Sequence, residues 1–200
     1  MKVIKIVAKN ELSQNTYLVQ DKNTTILIDC GCSIAEVEKE YVKRTNGLNL
    51  PKIDAIFLTH THFDHTLFLK EFEMRFEMPI FVKKGCANLI SSPEFNESGR
   101  FASSPLTYAP ANVVEMEDNQ PISIKNITIL PIFTPGHSIC STCFLVDDLL
   151  FSGDTLFYLA VGRTDLNGSN SDDLEKSLDL LHSLPFSLCY PGHGIHFKKF

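Results

Sequence analysis

Tryptophan is absent from this 200-residue chain, and so is any apolar run near the roughly 20 residues that a membrane-spanning helix needs. The N-terminal stretch MKVIKIVAKNELSQ is interrupted by Lys5 and has no small-residue cleavage site, so it reads as a first strand rather than a secretory signal. A cytoplasmic location without membrane association is the resulting expectation. A basic excess is also missing. With a net charge of -6, electrostatics offer no reason to expect a nucleic-acid partner, and none is expected. Six cysteines are too sparse for a disulfide scaffold, which a chain of this length does not need. Repeats, low-complexity tracts and linkers are lacking too, so residues 1–200 are expected to form a single domain with a sizeable core.

The cysteines raise one further question. Cys30/Cys32 and Cys140/Cys143 are close pairs that could suggest a structural zinc. Cys140 and Cys143 fall in an expected strand, where positions i and i+3 face opposite sides, so buried reduced thiols are expected instead.

What is present is a regular alternation of strand and helix signals. Apolar runs with β-branched residues predict strands at 2–8, 15–20, 25–29, 53–58, 79–82, 122–125, 127–133, 141–146, 149–152 and 187–190. Helices are expected over 34–46, capped by Ser33 and stopped by Gly47, over 66–76, near 84–91, and over 171–182. The stretch 92–111, SPEFNESGRFASSPLTYAPA, carries few regular signals and reads as a lid or cleft wall. Two runs of strands, each followed by helix, suit a mixed α/β layered domain of two similar halves, helices outside and sheets inside.

The chemistry concentrates where apolar strands end. In DAIFLTHTHFDHTLFL (54–69), His60, His62, Asp64 and His65 occupy six positions. His60 and His62 are two apart, so in extended chain both rings project to one side. Asp64 and His65 follow as the chain turns toward a helix and aim at a neighbouring point. Such a segment can serve two metal ions, the arrangement used in two-metal hydrolysis. TPGHS (134–138), FSGDTLF (151–157) and PGHG (191–194) add His137, Asp154 and His193, each at a turn after a strand. Imidazole and carboxylate suit zinc, and iron or manganese accept the same set. His182, on an expected helix, and His196, in the basic tail, are read as non-ligands.

These residues carry a family likeness. The chain resembles the metallo-β-lactamase-fold hydrolases, and within them the glyoxalase II-like (hydroxyacylglutathione hydrolase-like) thioesterases. The likeness runs from NTYLVQDKNTTILIDCG (15–31) through THTHFDH (59–65) and TPGHS to SGDTLFYLAVGRTDL (152–166) and YPGHG (190–194). It implies a four-layer αββα sandwich with a dinuclear site at one edge of its two sheets. It further implies that His60, His62 and His137 hold one divalent metal, that Asp64, His65 and His193 hold a second, and that Asp154 bridges them. Asp29, in the family's IDCG position, would orient a ligand from behind. A metal-bound hydroxide would attack a small-molecule thioester, with Asp64 and Asp154 as the catalytic carboxylates and no protein nucleophile.

Two departures shape the expectation. The chain stops seven residues after His193, so the C-terminal helical domain that supplies glutathione contacts in glyoxalase II enzymes is expected to be absent. Cys140 stands where the family often has glycine. The rival reading is a mononuclear-iron persulfide dioxygenase, against which the intact YPGHG argues. A β-lactamase would tend to carry cysteine at position 154, a nuclease would carry extra binding segments, and a non-catalytic module would have lost ligands.

Overall fold

Alternation along the early strands assigns each side chain to one of two cores. The computed structural model describes residues 1–199. The chain runs β1 (Lys2–Val7), β2 (Asn15–Asp21), β3 (Thr24–Ile28), α1 (Ile34–Arg44), β4 (Ala55–Phe57), α2 (Phe63–Thr66), α3 (Leu69–Phe76), β5 (Ile80–Lys83), α4 (Ser98–Phe101) and β6 (Val113–Met116). It continues through β7 (Ile122–Ile124), β8 (Ile127–Phe133), β9 (Thr142–Val146), β10 (Leu149–Gly153), β11 (Leu156–Phe157), β12 (Ala160–Val161), α5 (Ser171–Ser183), β13 (Leu188–Pro191) and β14 (Phe197–Lys198).

One six-stranded sheet has the order β1-β2-β3-β4-β5-β6 and the other β14-β13-β10-β9-β8-β7. Leu18, Leu27, Ile56 and Ile80 face one way and pack with Val37 and Tyr41 of α1 and Leu69 and Phe72 of α3. Their strand neighbours Tyr17, Val19, Ile26, Ile28 and Phe57 face the other way and meet Ile129, Phe144 and Phe151 of the second sheet. Beyond that sheet, Leu181 of α5 packs on Cys143, Leu150 and Cys189. The layers are therefore helix, sheet, sheet, helix, as expected. Each half of the chain builds one mixed sheet. Phe57 stacks on its cross-strand neighbour Phe81 at 4.6 Å and meets Phe144 of the second sheet edge-on at 5.5 Å, an aromatic contact that joins the two sheets.

Ser33 caps α1 through a reciprocal box, its Oγ accepting from the Glu36 N–H while Glu36 Oε2 accepts from the Ser33 N–H at 2.9 Å. Several expectations need correction. The helix expected over 66–76 begins at Leu69 as α3, and a separate single turn, α2, holds Asp64 and His65 ahead of it, the break falling at Phe68 with φ -106 and ψ 13. The helix near 84–91 shrinks to a 3-10 turn at Ala87–Leu89. Cys140 lies in the turn before β9, not in the strand. Strands β6, β11, β12 and β14 and helix α4 span only two to four residues each, too short for a periodic pattern to register. All six cysteines are buried and free, and none belongs to a metal-ligating cluster among the described residues.

Candidate metal centre

Strand β4 runs in parallel beside β3 and then continues as extended chain through His60 and His62. Asp29, just past β3, adopts φ +62, a left-handed conformation that aspartate enters more readily than most residues. From there its carboxylate accepts from the Thr59 N–H and the Thr59 hydroxyl, both at 2.8 Å. The same carboxylate lies 2.8 Å from His65 Nδ1. The end of β4 and the first turn of α2 are thus pinned to one buried acid. The His60 and His62 rings lie 4.5 Å apart, with the His65 ring 4.3 Å from His60.

The distant groups come from turns of the second sheet. His137 follows β8; its Nδ1 donates to the Arg163 carbonyl at 2.9 Å, which turns Nε2 toward the cluster, 3.0 Å from His62 Nδ1. His193 follows β13; its Nδ1 donates to the Leu12 carbonyl at 3.0 Å, leaving Nε2 3.3 Å from Asp64 Oδ2. Asp154 follows β10, and parallel pairing of β10 with β13 sets Gly153 opposite Pro191. Its Oδ1 lies 3.4 Å from His65 Nε2, while Oδ2 lies 3.6 Å from His137 Nε2 and 3.5 Å from His193 Nε2. Gly192 allows this approach: a Cβ there would sit 2.1 Å from Asp154 Oδ1 and 2.8 Å from His65 Cε1.

All seven expected ligands therefore meet. Ligand atoms of His60, His62 and His137 lie within 4.8 Å of one another, as do those of Asp64, His65 and His193, and those of His60, His65 and Asp154. Asp29 sits behind them. His182, exposed in the last turn of α5, and His196, stacked on Tyr190, stay outside.

Burial pushes His60 well below the usual imidazole range, helped by neighbouring imidazoles, and takes His62 down to about 3. Both rings are neutral at physiological pH. His65 behaves oppositely. Burial works against its charge, yet Asp64, Asp154 and Asp29 outweigh it and push His65 well up. For His193, burial is outweighed by Asp64 and Asp154, and its pKa also rises. Asp154 is held low by His65 and other histidines despite its burial. Among them, His60 Nε2, His62 Nε2, His65 Nε2 and Asp154 Oδ1 are buried with no hydrogen-bond partner. Leaving one such atom unpaired costs about 1–3 kcal/mol, so four in one place fit a bound cation that would take up their lone pairs.

A cleft of about 320 Å³ opens onto the cluster, walled by Leu12, Phe63, Phe101 and Leu166 with Glu97 and Arg163. A larger groove of about 510 Å³, between β1 and α1, touches none of the cluster. Segment 92–111 contributes Glu97 and Phe101, so it does form cleft wall. Sequence reasoning missed the carbonyls of Arg163 and Leu12, which set two imidazole tautomers. Backbone acceptors leave no residue-type signal, although Arg163 lies within SGDTLFYLAVGRTDL, one of the stretches that carry the family likeness. Thr59 and Glu97 were missed as well.

The model of the metallo-beta-lactamase superfamily matches residues 10–193. The chain belongs to that superfamily. A probable metallo-hydrolase of Bacillus subtilis, YqgX, is 32% identical over 187 residues, covering 92% of this chain and 86% of the relative. The solved BLEG-1 B3 metallo-beta-lactamase superposes with TM-score 0.86 at 28% identity, covering 98% of this chain and 94% of that one. TTHA1623, solved in a di-iron-bound form, gives TM-score 0.79 at 28% identity with the same coverages. With this superfamily's fold and a buried His/Asp cluster of ligating type, the chain is a metal-dependent hydrolase of the metallo-β-lactamase superfamily. No helix among the described residues is long and apolar enough to cross a membrane.

Proposed function

We propose that this superfamily member is a thioesterase of the hydroxyacylglutathione hydrolase type. In this reading His60, His62 and His137 hold one divalent ion, Asp64, His65 and His193 hold a second, and Asp154 lies between. The observation that carries it is Asp154 itself, whose two oxygens reach His65 on one side and His137 and His193 on the other. When bound, the ions supply a hydroxide at neutral pH, since coordination lowers the pKa of water from about 15.7 toward about 7, and they stabilise an oxyanion and a leaving thiolate.

The chain's own residues do the rest. Asp29 fixes the His65 tautomer, and the Arg163 and Leu12 carbonyls do the same for His137 and His193. Asp64 turns Oδ2 toward His193 and His65, which leaves Oδ1 to orient the attacking water and hold its proton. Neither cysteine nor serine lines the cleft, which favours attack by water over a covalent intermediate on the protein. The apolar walls exclude bulk water from the reacting carbonyl.

A metal-quantified screen with S-lactoylglutathione, simple acyl thioesters and a glutathione persulfide tests this. Two ions per chain and thioester turnover are expected. One iron per chain with oxygen consumed on the persulfide would overturn the reading in favour of a dioxygenase.

A further inference from the structure

Glu97 is the least comfortable residue near the cleft. It is only 2% exposed, holds φ +62 and precedes α4 in the cleft wall. Its Oε1 accepts from the Asn167 N–H at 2.8 Å, whereas Oε2 is buried with no partner. Asn96, fully buried, enforces this position: its amide donates to the Ile90 and Leu106 carbonyls, each at 2.8 Å, and its Oδ1 accepts from the Ser98 N–H at 3.0 Å. A strained backbone that buries a half-satisfied carboxylate persists only where its surroundings over-determine it, and such positions cluster at ligand sites.

The cleft's charge gives that carboxylate a consequence. Arg163 is the single lysine or arginine in the lining, and Asp165 already occupies its guanidinium through two contacts of 2.6 Å. Two divalent ions set against Asp64, Asp154, Asp29 and Glu97 leave no surplus positive charge for a further anion. The remaining walls, Leu12, Phe63, Phe101 and Leu166, are apolar.

The geometry points to Glu97 as a selectivity residue, admitting thioesters whose thiol arm is neutral or cationic in the cleft and rejecting arms that bring a carboxylate. This deepens the thioesterase reading and rests on it for the substrate. It narrows that reading to thioesters of small thiols without a carboxylate and sets it against glutathione itself, whose arm carries two carboxylates, so simple acyl thioesters should outperform S-lactoylglutathione.

Binding of free thiols to the zinc-loaded protein, measured calorimetrically, tests it without turnover. The probes are N-acetylcysteamine, cysteamine and 3-mercaptopropionate. Wild-type protein is expected to bind 3-mercaptopropionate about tenfold more weakly than N-acetylcysteamine. Glu97→Gln, which keeps the shape and the Asn167 contact, should erase most of that gap, while Glu97→Asp should retain part of it. A merely structural Glu97 would move all three thiols together. The inference is overturned if wild type binds 3-mercaptopropionate as tightly as N-acetylcysteamine, if Glu97→Gln leaves the ratio unchanged, or if none of the thiols binds. If the preference appears in a protein that turns over no thioester, the thioesterase reading falls and the role of Glu97 stands.

Discussion

Asp29 Oδ2 stands 2.8 Å from His65 Nδ1, and both groups are essentially buried, at 2% and 0% side-chain exposure. The contact sets which nitrogen of His65 faces the cluster: with Nδ1 donating to Asp29, Nε2 is aimed at Asp154 and Asp64. Partners of this kind, behind a ligating imidazole, typically tune metal affinity 10–100-fold. Asp29→Asn keeps the left-handed backbone accessible and removes the charge. Chelator competition should show metal affinity lowered by about 10–100-fold, with the thermal midpoint of the metal-free protein falling only slightly. Unchanged affinity would dissociate Asp29 from the site.

Asp154→Ala removes the group that lies between both ligand sets. Thioester turnover should fall by at least about a hundredfold and bound metal should drop, while circular dichroism remains native. Turnover at the wild-type rate would mean that the site has been misplaced.

Gly192→Ala tests the close approach of the β13 turn to the cluster. Its Cβ would arrive 2.1 Å from Asp154 Oδ1, too near for either atom to stay in place. Metal occupancy per chain, read by elemental analysis, should decrease substantially although no ligand has been changed. Gly194→Ala is the control for occupancy, because nothing lies within 4 Å of a Cβ there and its φ of +73 adds only local backbone strain.

Metal binding should tighten as pH rises. His60 and His62 are already neutral, but the carboxylates around His65 and His193 raise their pKa values and hold protons on them in the metal-free protein. A cation has to displace those protons, so binding releases them, and affinity increases with pH until both rings are neutral without help. Titration in two buffers of different ionisation enthalpy should reveal proton release near pH 7, and affinity at pH 6 should be below that at pH 8.

Phe57→Ala probes the seam between the sheets. Phe57 is fully buried against Phe81 and Phe144 and far in kind from the chemistry. Its loss should cost about 3–5 kcal/mol in denaturant unfolding, with the metal cluster retained in the fraction that folds.

Much of this is legible in the sequence alone. The apolar, β-branched runs of β2 and β3, the N-cap at Ser33 and the spacing of His60, His62, Asp64 and His65 are local properties, set by neighbours within a few positions. So are the candidate ligands at 137, 154 and 193, because a histidine or aspartate at a glycine turn after an apolar strand is unusual in composition alone. The misread segments were those where local preference is weak: the 3-10 turn at Ala87–Leu89, the split of α2 from α3, and Cys140 in a turn.

The sequence by itself thus determined a layered α/β domain and the set of proposed ligands, since apolar runs and ligand chemistry are written residue by residue, while the four-layer order came with the family likeness. Only the tertiary structure decided how those residues face one another. Pairing of β3 with β4 brings Asp29 to His65, and pairing of β10 with β13 brings Asp154 beside His193, across 38 residues of intervening chain in the second case. The acceptors that orient His137 and His193 are main-chain carbonyls, and the strain at Glu97 comes from its neighbours Asn96 and Asn167. Those contacts depend on where remote segments are packed, which no local pattern encodes.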